Sequence, residues 1–572
     1  MSKKENTSGK PASTRKYDVA HSDKLGRYMV AGKKLSAGEL IVREDALAVG
    51  PASFVTDLMC FACMRPLPAY RKQSEKSQIV CSKCGVAPLC SRSCEESSAT
   101  PQLHTSWECS AFRERRQSCS EHLNELSHVL LHLRLWLLQN AKPDAWEVIS
   151  SMEAHLERRR KAPVWLDREA NVVNAFARLG FEADSESLQR LCGIVDVNAF
   201  ELRAPCASSG AKSVGPPILR GLFPGAALMS HSCRPTGHVA VDGEFRITIH
   251  AATPINVSEP VTFNYTSSLL GTVERQEHLQ EGKYFRCECN TCKDPFEDGS
   301  YLSCIVCPRC RKDFVGLQNV RTKDPYNAKT KWQCRKCKRI FRGCLIRSTL
   351  EISKNMISCV DDDDVKALEN LLEKLARTFH KNHFVMLSLK QQILGLYRNE
   401  IRNNVNPRRK VMQRMLEMCK EMLDVLEIVE PGISRLKGIT LYEMHLPLAM
   451  LAQRAYSSRE ITATELLKRL EEAKALLKRG CGMLLLEPQG TPEAQLAKQA
   501  LMELKLLNRS CDDARALACC GGCDCREADC HEPSTNSGDN CLSSSSNETN
   551  SSNKSGSRGR RRLRDRQEAR AR

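Results

Sequence analysis

Between Cys60 and Cys109 the chain sets eight metal-type ligands within fifty residues: Cys60-x2-Cys63, Cys81-x2-Cys84, Cys90-x3-Cys94 and His104-x4-Cys109. No other feature constrains the fold as tightly. Zinc takes four thiolate or imidazole ligands at tetrahedral corners, and a close cysteine pair wraps one face of the ion, so eight ligands predict two closed structural sites with no position left for water. The intervening loops, such as Ser91-Arg92-Ser93 and the run from Met64 to Tyr70, read as too polar to make a core, so metal is expected to do the folding there.

Two further clusters repeat the theme. Cys287-x-Cys289-x2-Cys292 supplies three ligands and needs a fourth from elsewhere, for which Cys233 in the run Met229-Ser230-His231-Ser232-Cys233 is the candidate. Cys307-x2-Cys310, followed after 23 residues by Cys334-x2-Cys337, has the spacing of a four-cysteine zinc ribbon, with Cys304 near enough to compete. A last group, Cys519, Cys520, Cys523, Cys525 and Cys530, lies in Gly- and Asp-rich text without a hydrophobic pattern and reads as a cysteine tail rather than a metal site. The chain has 30 cysteines in 572 residues, and its beginning, MSKKENTSGK, has no apolar stretch of the secretory kind. The most apolar run, His128 to Gln139, is short and interrupted by Arg134, so no membrane span is expected. A reducing compartment follows, in which metal rather than disulfide is the use for so many thiols.

The rest of the chain divides by period. Residues 1–16 read as disordered. Tyr28-Met29-Val30-Ala31 and Glu39-Leu40-Ile41-Val42, separated by glycines, read as short strands. Leu123, Leu126, Leu130, Leu133 and Leu137 form a helical stripe over residues 121–139. His238 to Val241 and Phe245 to Ile249 flank Asp242-Gly243, a hairpin signal. After the ribbon the period is helical to about residue 508. One stripe runs through Val365, Leu368, Leu372, Leu375 and Phe379, another through Met412, Met415, Cys419, Met422 and Leu426. Thr462 with Glu465 predicts a capping box, and Gly480 stands where a C-terminal cap is expected. Helix pairs of the tetratricopeptide type fit this spacing. Ser- and Asn-rich text and then an Arg-rich run from Arg558 close the chain as an expected disordered tail.

In this order the pieces resemble a SET and MYND protein of the SMYD family, over roughly residues 17–510. The eight-ligand cluster resembles a MYND finger; Leu25-Gly26-Arg27-Tyr28 is similar to the opening loop of a split SET domain; Val197-Asn198-Ala199-Phe200 resembles the intermediate SET segment. Leu228 to Thr236 is similar to the Asn-His-Ser-Cys-x-Pro-Asn signature, Phe263-Asn264-Tyr265 to the strand carrying the catalytic tyrosine, and the Cys287 cluster to the post-SET zinc site. His380-x2-His383 and Arg435 to His445 resemble the C-terminal helical domain of the arthropod-type branch.

The resemblance implies an α+β multidomain chain. SET parts fall at 17–55 and 206–280, the MYND finger at 60–109, a helical intermediate region at 110–205, and the post-SET site at 281–295. The ribbon takes 300–347, a helical, TPR-like domain 350–510, and a disordered tail 511–572. It implies interleaved MYND zinc sites, Cys60, Cys63, Cys90 and Cys94 holding one ion and Cys81, Cys84, His104 and Cys109 the other. With Cys233 completing the post-SET site, four zinc ions are expected. It further implies a protein-lysine methyltransferase that uses S-adenosylmethionine, with Tyr265 aligning the amine and Gly26, Arg27, Tyr28, Asn198, Ser230, His231 and Phe285 around the cofactor.

Four positions depart from the family pattern: Tyr28 for a glycine, Ser230 and Thr236 for asparagines, and Ser258-Glu259-Pro260 for Gly-Glu-Glu, where Pro260 removes a backbone donor. They motivate a second reading, a catalytically degenerate adaptor whose finger recruits proline-containing peptides of transcriptional co-regulators, histone deacetylase-type partners included. Histone or other protein lysines are the substrates of the first reading. A monomer of the nucleus and cytoplasm fits both. The net charge is +18, and the segment from Cys304 to Arg347 holds thirteen Lys and Arg against two acids. Such a patch attracts phosphate, but basic residues beside zinc-thiolate centres also offset their charge, which is the reading preferred over nucleic-acid binding.

Overall fold

The structure is a computed structural model; it describes residues 15–52, 58–67, 79–96, 103–204 and 218–520. Residues 1–14 and 521–572, with the expected disordered ends, and Cys523, Cys525 and Cys530 lie outside the described residues.

Ten short strands form the β-rich part: β1 Tyr17–Ser22, β2 Gly26–Ala31, β3 Leu40–Asp45, β4 Ala48–Pro51, β5 Phe200–Arg203, β6 Ile218–Leu222, β7 Ser230–His231, β8 Gly237–Val241, β9 Arg246–Ala251 and β10 Thr262–Phe263. They pair as an antiparallel β1-β2 hairpin, two antiparallel three-stranded sheets ordered β3-β9-β8 and β4-β6-β5, and a parallel β7-β10 pair. Alternation explains the burial. In β9, Ile247, Ile249 and Ala251 are fully buried while Arg246, Thr248 and His250 face the other way. The β8-β9 turn is longer than Asp242-Gly243 alone predicts: β9 starts at Arg246, because Phe245 adopts φ +60 and sends its ring into the core while Asp242 Oδ1 accepts the N–H groups of Glu244 and Arg246.

The finger shares this core. Met59, Phe61, Met64, Val86 and Leu89 are buried in one cluster with Phe112, Leu126, Leu130, Phe176, Phe223 and Ile247. The expectation that its loops are too polar to pack is therefore corrected: the apolar residues lie beside the ligands and rest on the helix Ser106–Glu114, which starts within the expected finger. The intermediate region is helical, with Leu123–Ala141 its longest helix, up to the helix Ser185–Asn198, after which β5 returns to sheet.

Four antiparallel strands, β11 Ile305–Val306, β12 Phe314–Leu317, β13 Lys331–Cys334 and β14 Ile340–Arg342, make the ribbon. Helices follow: Gly343–Ser358, Val365–Leu375, Phe384–Asn403, Arg409–Val429, Arg435–Ser457, Ala463–Leu484 and Pro492–Cys520. Thr462 caps its helix by accepting the Glu465 N–H at 3.2 Å, but the Glu465 carboxylate turns to Arg469 at 2.9 Å rather than closing the box. Gly480 is no cap. It lies inside Ala463–Leu484, and a Cβ there would stand 2.9 Å from the Gly438 carbonyl oxygen, so it is the close-approach point of two crossing helices. The last helix passes the expected limit of 510 and runs to Cys520, carrying Cys519, because Cys511 and Ala514 are buried against the preceding helices.

Candidate metal centres and active-site cleft

Four quartets bring metal-type ligand atoms within 4.8 Å of one another: Cys60, Cys63, Cys90 and Cys94; Cys81, Cys84, His104 and Cys109; Cys233, Cys287, Cys289 and Cys292; and Cys307, Cys310, Cys334 and Cys337. Zinc–sulfur bonds of about 2.3 Å at tetrahedral corners put neighbouring sulfurs about 3.8 Å apart. Cys63–Cys90 stand at 3.6 Å, Cys81–Cys109 at 3.8 Å, Cys233–Cys287 at 3.9 Å, Cys307–Cys337 at 3.7 Å and Cys310–Cys334 at 3.8 Å. The His104 Nε2 lies 3.7 Å from Cys84 Sγ. Donor chemistry and edge lengths both fit zinc. Cys304 stands outside the ribbon quartet, buried, with its sulfur 3.7 Å from the Pro295 carbonyl oxygen.

The second finger quartet has a supporting layer. His104 Nδ1 pairs with Glu108 Oε1 at 2.8 Å, and Glu108 takes Arg134 Nε at 2.7 Å. Arg134 also donates to the carbonyls of Val49 and Phe61, both at 2.6 Å. A carboxylate behind a ligating imidazole fixes its tautomer and orientation, and here Arg134 links the same carboxylate to strand β4.

The third quartet borders a cleft of about 2360 Å³, lined among others by Gly26, Arg27, Asn198, Ser230, His231 and Phe285, with Tyr265 on its wall. Gly26 turns the β1-β2 hairpin at φ +65. The Arg27 guanidinium donates to the Ser151 carbonyl and hydroxyl at 3.0 Å, and the Asn198 amide donates to Glu153 and Ile194 carbonyls at 2.9 and 2.8 Å. These two side chains hold the wall in place with the groups expected to face a ligand. Tyr28 is not among the lining residues: strand alternation sets it on the face of β2 opposite Arg27, so its ring does not obstruct the cleft.

His231 joins scaffold to site. Its Nδ1 accepts the Tyr265 N–H at 3.1 Å, which leaves Nε2 to donate toward Cys233 Sγ at 3.4 Å. The Tyr265 hydroxyl donates to the Met229 carbonyl at 2.5 Å, and burial pushes its pKa up to about 12. Its ring lies 5.2 Å from His231, 6.4 Å from Phe285 and 6.5 Å from Phe263. Such aromatic walls attract cations.

Two of the other departures from pattern are accommodated locally, and nothing in the structure explains Ser230. Pro260 bridges Val30, and the ladder bonds beside it run from Ala31 N to Glu259 O and from Val261 N to Met29 O, so no bond there calls for a donor from Pro260. Thr236 brackets β10: its hydroxyl accepts the Thr262 N–H at 3.0 Å while Thr262 Oγ1 accepts the Thr236 N–H at 3.0 Å.

Asn264 and Lys283 are among the lining residues that the sequence reading left unassigned. Asn264 is buried with Nδ2 unpartnered while Oδ1 accepts from Thr266, an unspent donor at the cleft; its position next to Tyr265 was the available signal. Lys283 ends the helix Thr272–Lys283 beside the Tyr265 ring; nothing in the local text marks it.

No family model matches the chain. It is 26% identical over 437 residues to the SET domain-containing protein SmydA-8, isoform A, of Drosophila melanogaster, covering 74% of this chain and 87% of that one. This places the chain's likeness among proteins of the SMYD type. Other relatives include the histone-lysine N-methyltransferase ASHR2 of Arabidopsis thaliana, 25% identical across 49% of this chain and 72% of its own length. The histone-lysine N-methyltransferase SMYD3 of Homo sapiens is 24% identical across 49% and 62%. Among solved structures, Rubisco LSMT bound to AdoMet aligns over 76% of this chain and 89% of its own with 13% identity and a TM-score of 0.23.

Proposed function

We propose that this protein is an S-adenosylmethionine-dependent protein-lysine methyltransferase of the SMYD type. The observation that carries the reading is Tyr265: a neutral tyrosine on the wall of an aromatic cleft, anchored through His231 to a zinc-type quartet. The cofactor fits the cleft by its chemistry, since a sulfonium suits aromatic walls and the Asn264 Nδ2 offers an unspent buried donor. Gly26, Arg27, Asn198, Ser230, His231 and Phe285 would hold it, and when bound it supplies an electrophilic methyl group.

The protein's part is positioning. A lysine amine must shed its proton and its water and meet the methyl in line, and rigid walls remove the entropy of that alignment. Tyr265 and Phe263 flank the approach, and the hydroxyl stays protonated because burial holds its pKa high. Tyr28 off the cleft wall and Pro260 at a position needing no donor support catalysis over the adaptor reading. The substrate class is a lysine side chain of a histone or another protein, and the finger is a docking module for proline-containing peptides of transcriptional co-regulators. A monomer in nucleus and cytoplasm fits this role; among the described residues no helix is long and apolar enough to cross a membrane. Tyr265→Phe in the zinc-loaded chain tests the assignment: methyl transfer to protein substrate is lost while the melting curve is kept, and unchanged transfer removes Tyr265 from its role.

A further inference from the structure

Only two lysines line the cleft among the described residues, and they differ in kind. Lys24 is exposed and paired with Glu288 at 2.5 Å. Lys283 is part-buried, with its Nζ bonded to the Val197 carbonyl at 2.5 Å and the Asp196 carbonyl at 3.4 Å, and lying 5.7 Å from the centre of the Tyr265 ring. Around it stand residues already assigned to the site. Val197 precedes Asn198, Phe285 follows Lys283 by two residues, and the Tyr265 ring lines the same cleft.

The amine is held firmly. It leaves the last residue of the helix Thr272–Lys283, and four residues later the chain is pinned at Cys287 in the third quartet. Gln276 braces that short link, donating to the Cys287 carbonyl at 2.7 Å and accepting its N–H at 3.0 Å. The Asp196 carboxylate is occupied by Arg159, Arg168 and Arg220, so only backbone oxygens of that turn face the lysine. A neutral amine has two N–H bonds and one lone pair. With the two N–H groups given to the Val197 and Asp196 carbonyls, the lone pair of the neutral amine is left without a partner among these bonds. That is the arrangement a methyl acceptor requires.

The geometry points to Lys283 as an acceptor of the enzyme's own methyl transfer, an automethylation site modified in cis. The inference rests on the methyltransferase reading above. In the step, the Nζ lone pair forms the new N–C bond as the S–C bond of a methyl sulfonium breaks. The S–C electron pair stays on sulfur as a neutral thioether, and nitrogen emerges as a methylammonium whose proton passes to water. Burial, together with the Arg220 guanidinium, lowers the Lys283 pKa to about 8 against the pull of Asp196 and Glu201, so the neutral amine is well populated at mildly alkaline pH. The competing role is structural, since a lysine on the last carbonyls of the helix Ser185–Asn198 also caps that helix.

Mass spectrometry of the zinc-loaded full chain, incubated with S-adenosylmethionine and no other protein, separates the two. The expected result is one methyl group on the peptide containing Lys283, absent in Lys283→Arg, lost with Tyr265→Phe, and forming at a rate independent of chain concentration. A parallel calorimetric titration of S-adenosylmethionine and an assay on mixed histones complete the test. Cofactor binding and histone methylation with Lys283 unmodified overturn the inference alone and leave Lys283 a helix cap. A modification rate that rises with chain concentration overturns transfer in cis. Absence of cofactor binding overturns the methyltransferase reading and this inference with it.

Discussion

Arg134 stands in the middle of the leucine-rich helix Leu123–Ala141, 5% exposed, because it donates four hydrogen bonds there: two to Glu108 and one each to the Val49 and Phe61 carbonyls. The text shows only an arginine interrupting leucines. Its partners are 26 to 85 residues away, and no spacing rule reaches them. Because Glu108 also orients His104, Glu108→Gln is expected to weaken the second finger site by about 10–100-fold in zinc affinity, as loss of such support does. Competition with a chromophoric chelator measures it, and unchanged affinity would separate Glu108 from the metal. Asp196 is the second charged centre, bound by Arg159 at 2.8 Å, Arg168 at 3.1 Å and Arg220 at 3.0 Å. Burial alone would raise its pKa, but Arg168, Arg159 and Arg220 outweigh it and hold the value at about 2. A carboxylate depressed in the folded state stabilises above its unfolded pKa of about 4 and loses that contribution as pH falls toward 2. Asp196→Asn is accordingly expected to cost about 3–5 kcal/mol at neutral pH. In paired denaturant melts the gap between the two proteins should be constant above about pH 4 and narrow below it; a gap that persists to pH 2 would contradict the assignment. The ligand cysteines, by contrast, were legible residue by residue, since a two-residue gap between thiols has few other uses. Lys283 was not, because its meaning arises only where a helix end converges on Tyr265, whereas Asn264 carried a signal in its place beside that tyrosine.

Elements were read best where period and burial agree. The β9 alternation and the leucine stripe of Leu123–Ala141 are visible in the text because one face of each is buried. Gly480 misled, since a glycine near a helix end reads as a cap, whereas here it admits the crossing helix Arg435–Ser457 at Gly438. Gly480→Val is therefore expected to cost about 1–3 kcal/mol by overpacking and to lower the melting temperature. A variant melting with wild type would restore the capping role. The β8-β9 turn misled similarly, because nothing local announces that Phe245 turns inward at positive φ. The last helix outran its expected end for a tertiary reason, the burial of Cys511 and Ala514.

At the scale of the molecule, the cleft is a product of several modules. C-terminal helices close it from one side: Arg435 donates to the Val239 carbonyl at 3.2 Å and pairs with Glu487 at 2.8 Å, His238 lies 3.0 Å from the same carboxylate, and Arg203 pairs with Glu493 at 2.9 Å. The finger and the N-terminal strands share one apolar cluster, so the two finger metal centres and that core are expected to unfold together. Zinc chelation at neutral pH is expected to abolish the near-ultraviolet circular dichroism of the buried aromatics in the same transition that releases the finger metal. Loss of metal with the aromatic signal intact would contradict a shared core. The order of motifs revealed this assembly, whereas the walls of the cleft, assembled from residues as far apart as Gly26 and Glu493, required the fold. The central claim is that a zinc-held cleft around Tyr265 takes a sulfonium cofactor. Isothermal titration of S-adenosylmethionine into the zinc-loaded chain tests it most directly: the account predicts saturable binding at one site per chain, weakened when Asn264 is replaced by leucine, and a titration without heat of binding would contradict it.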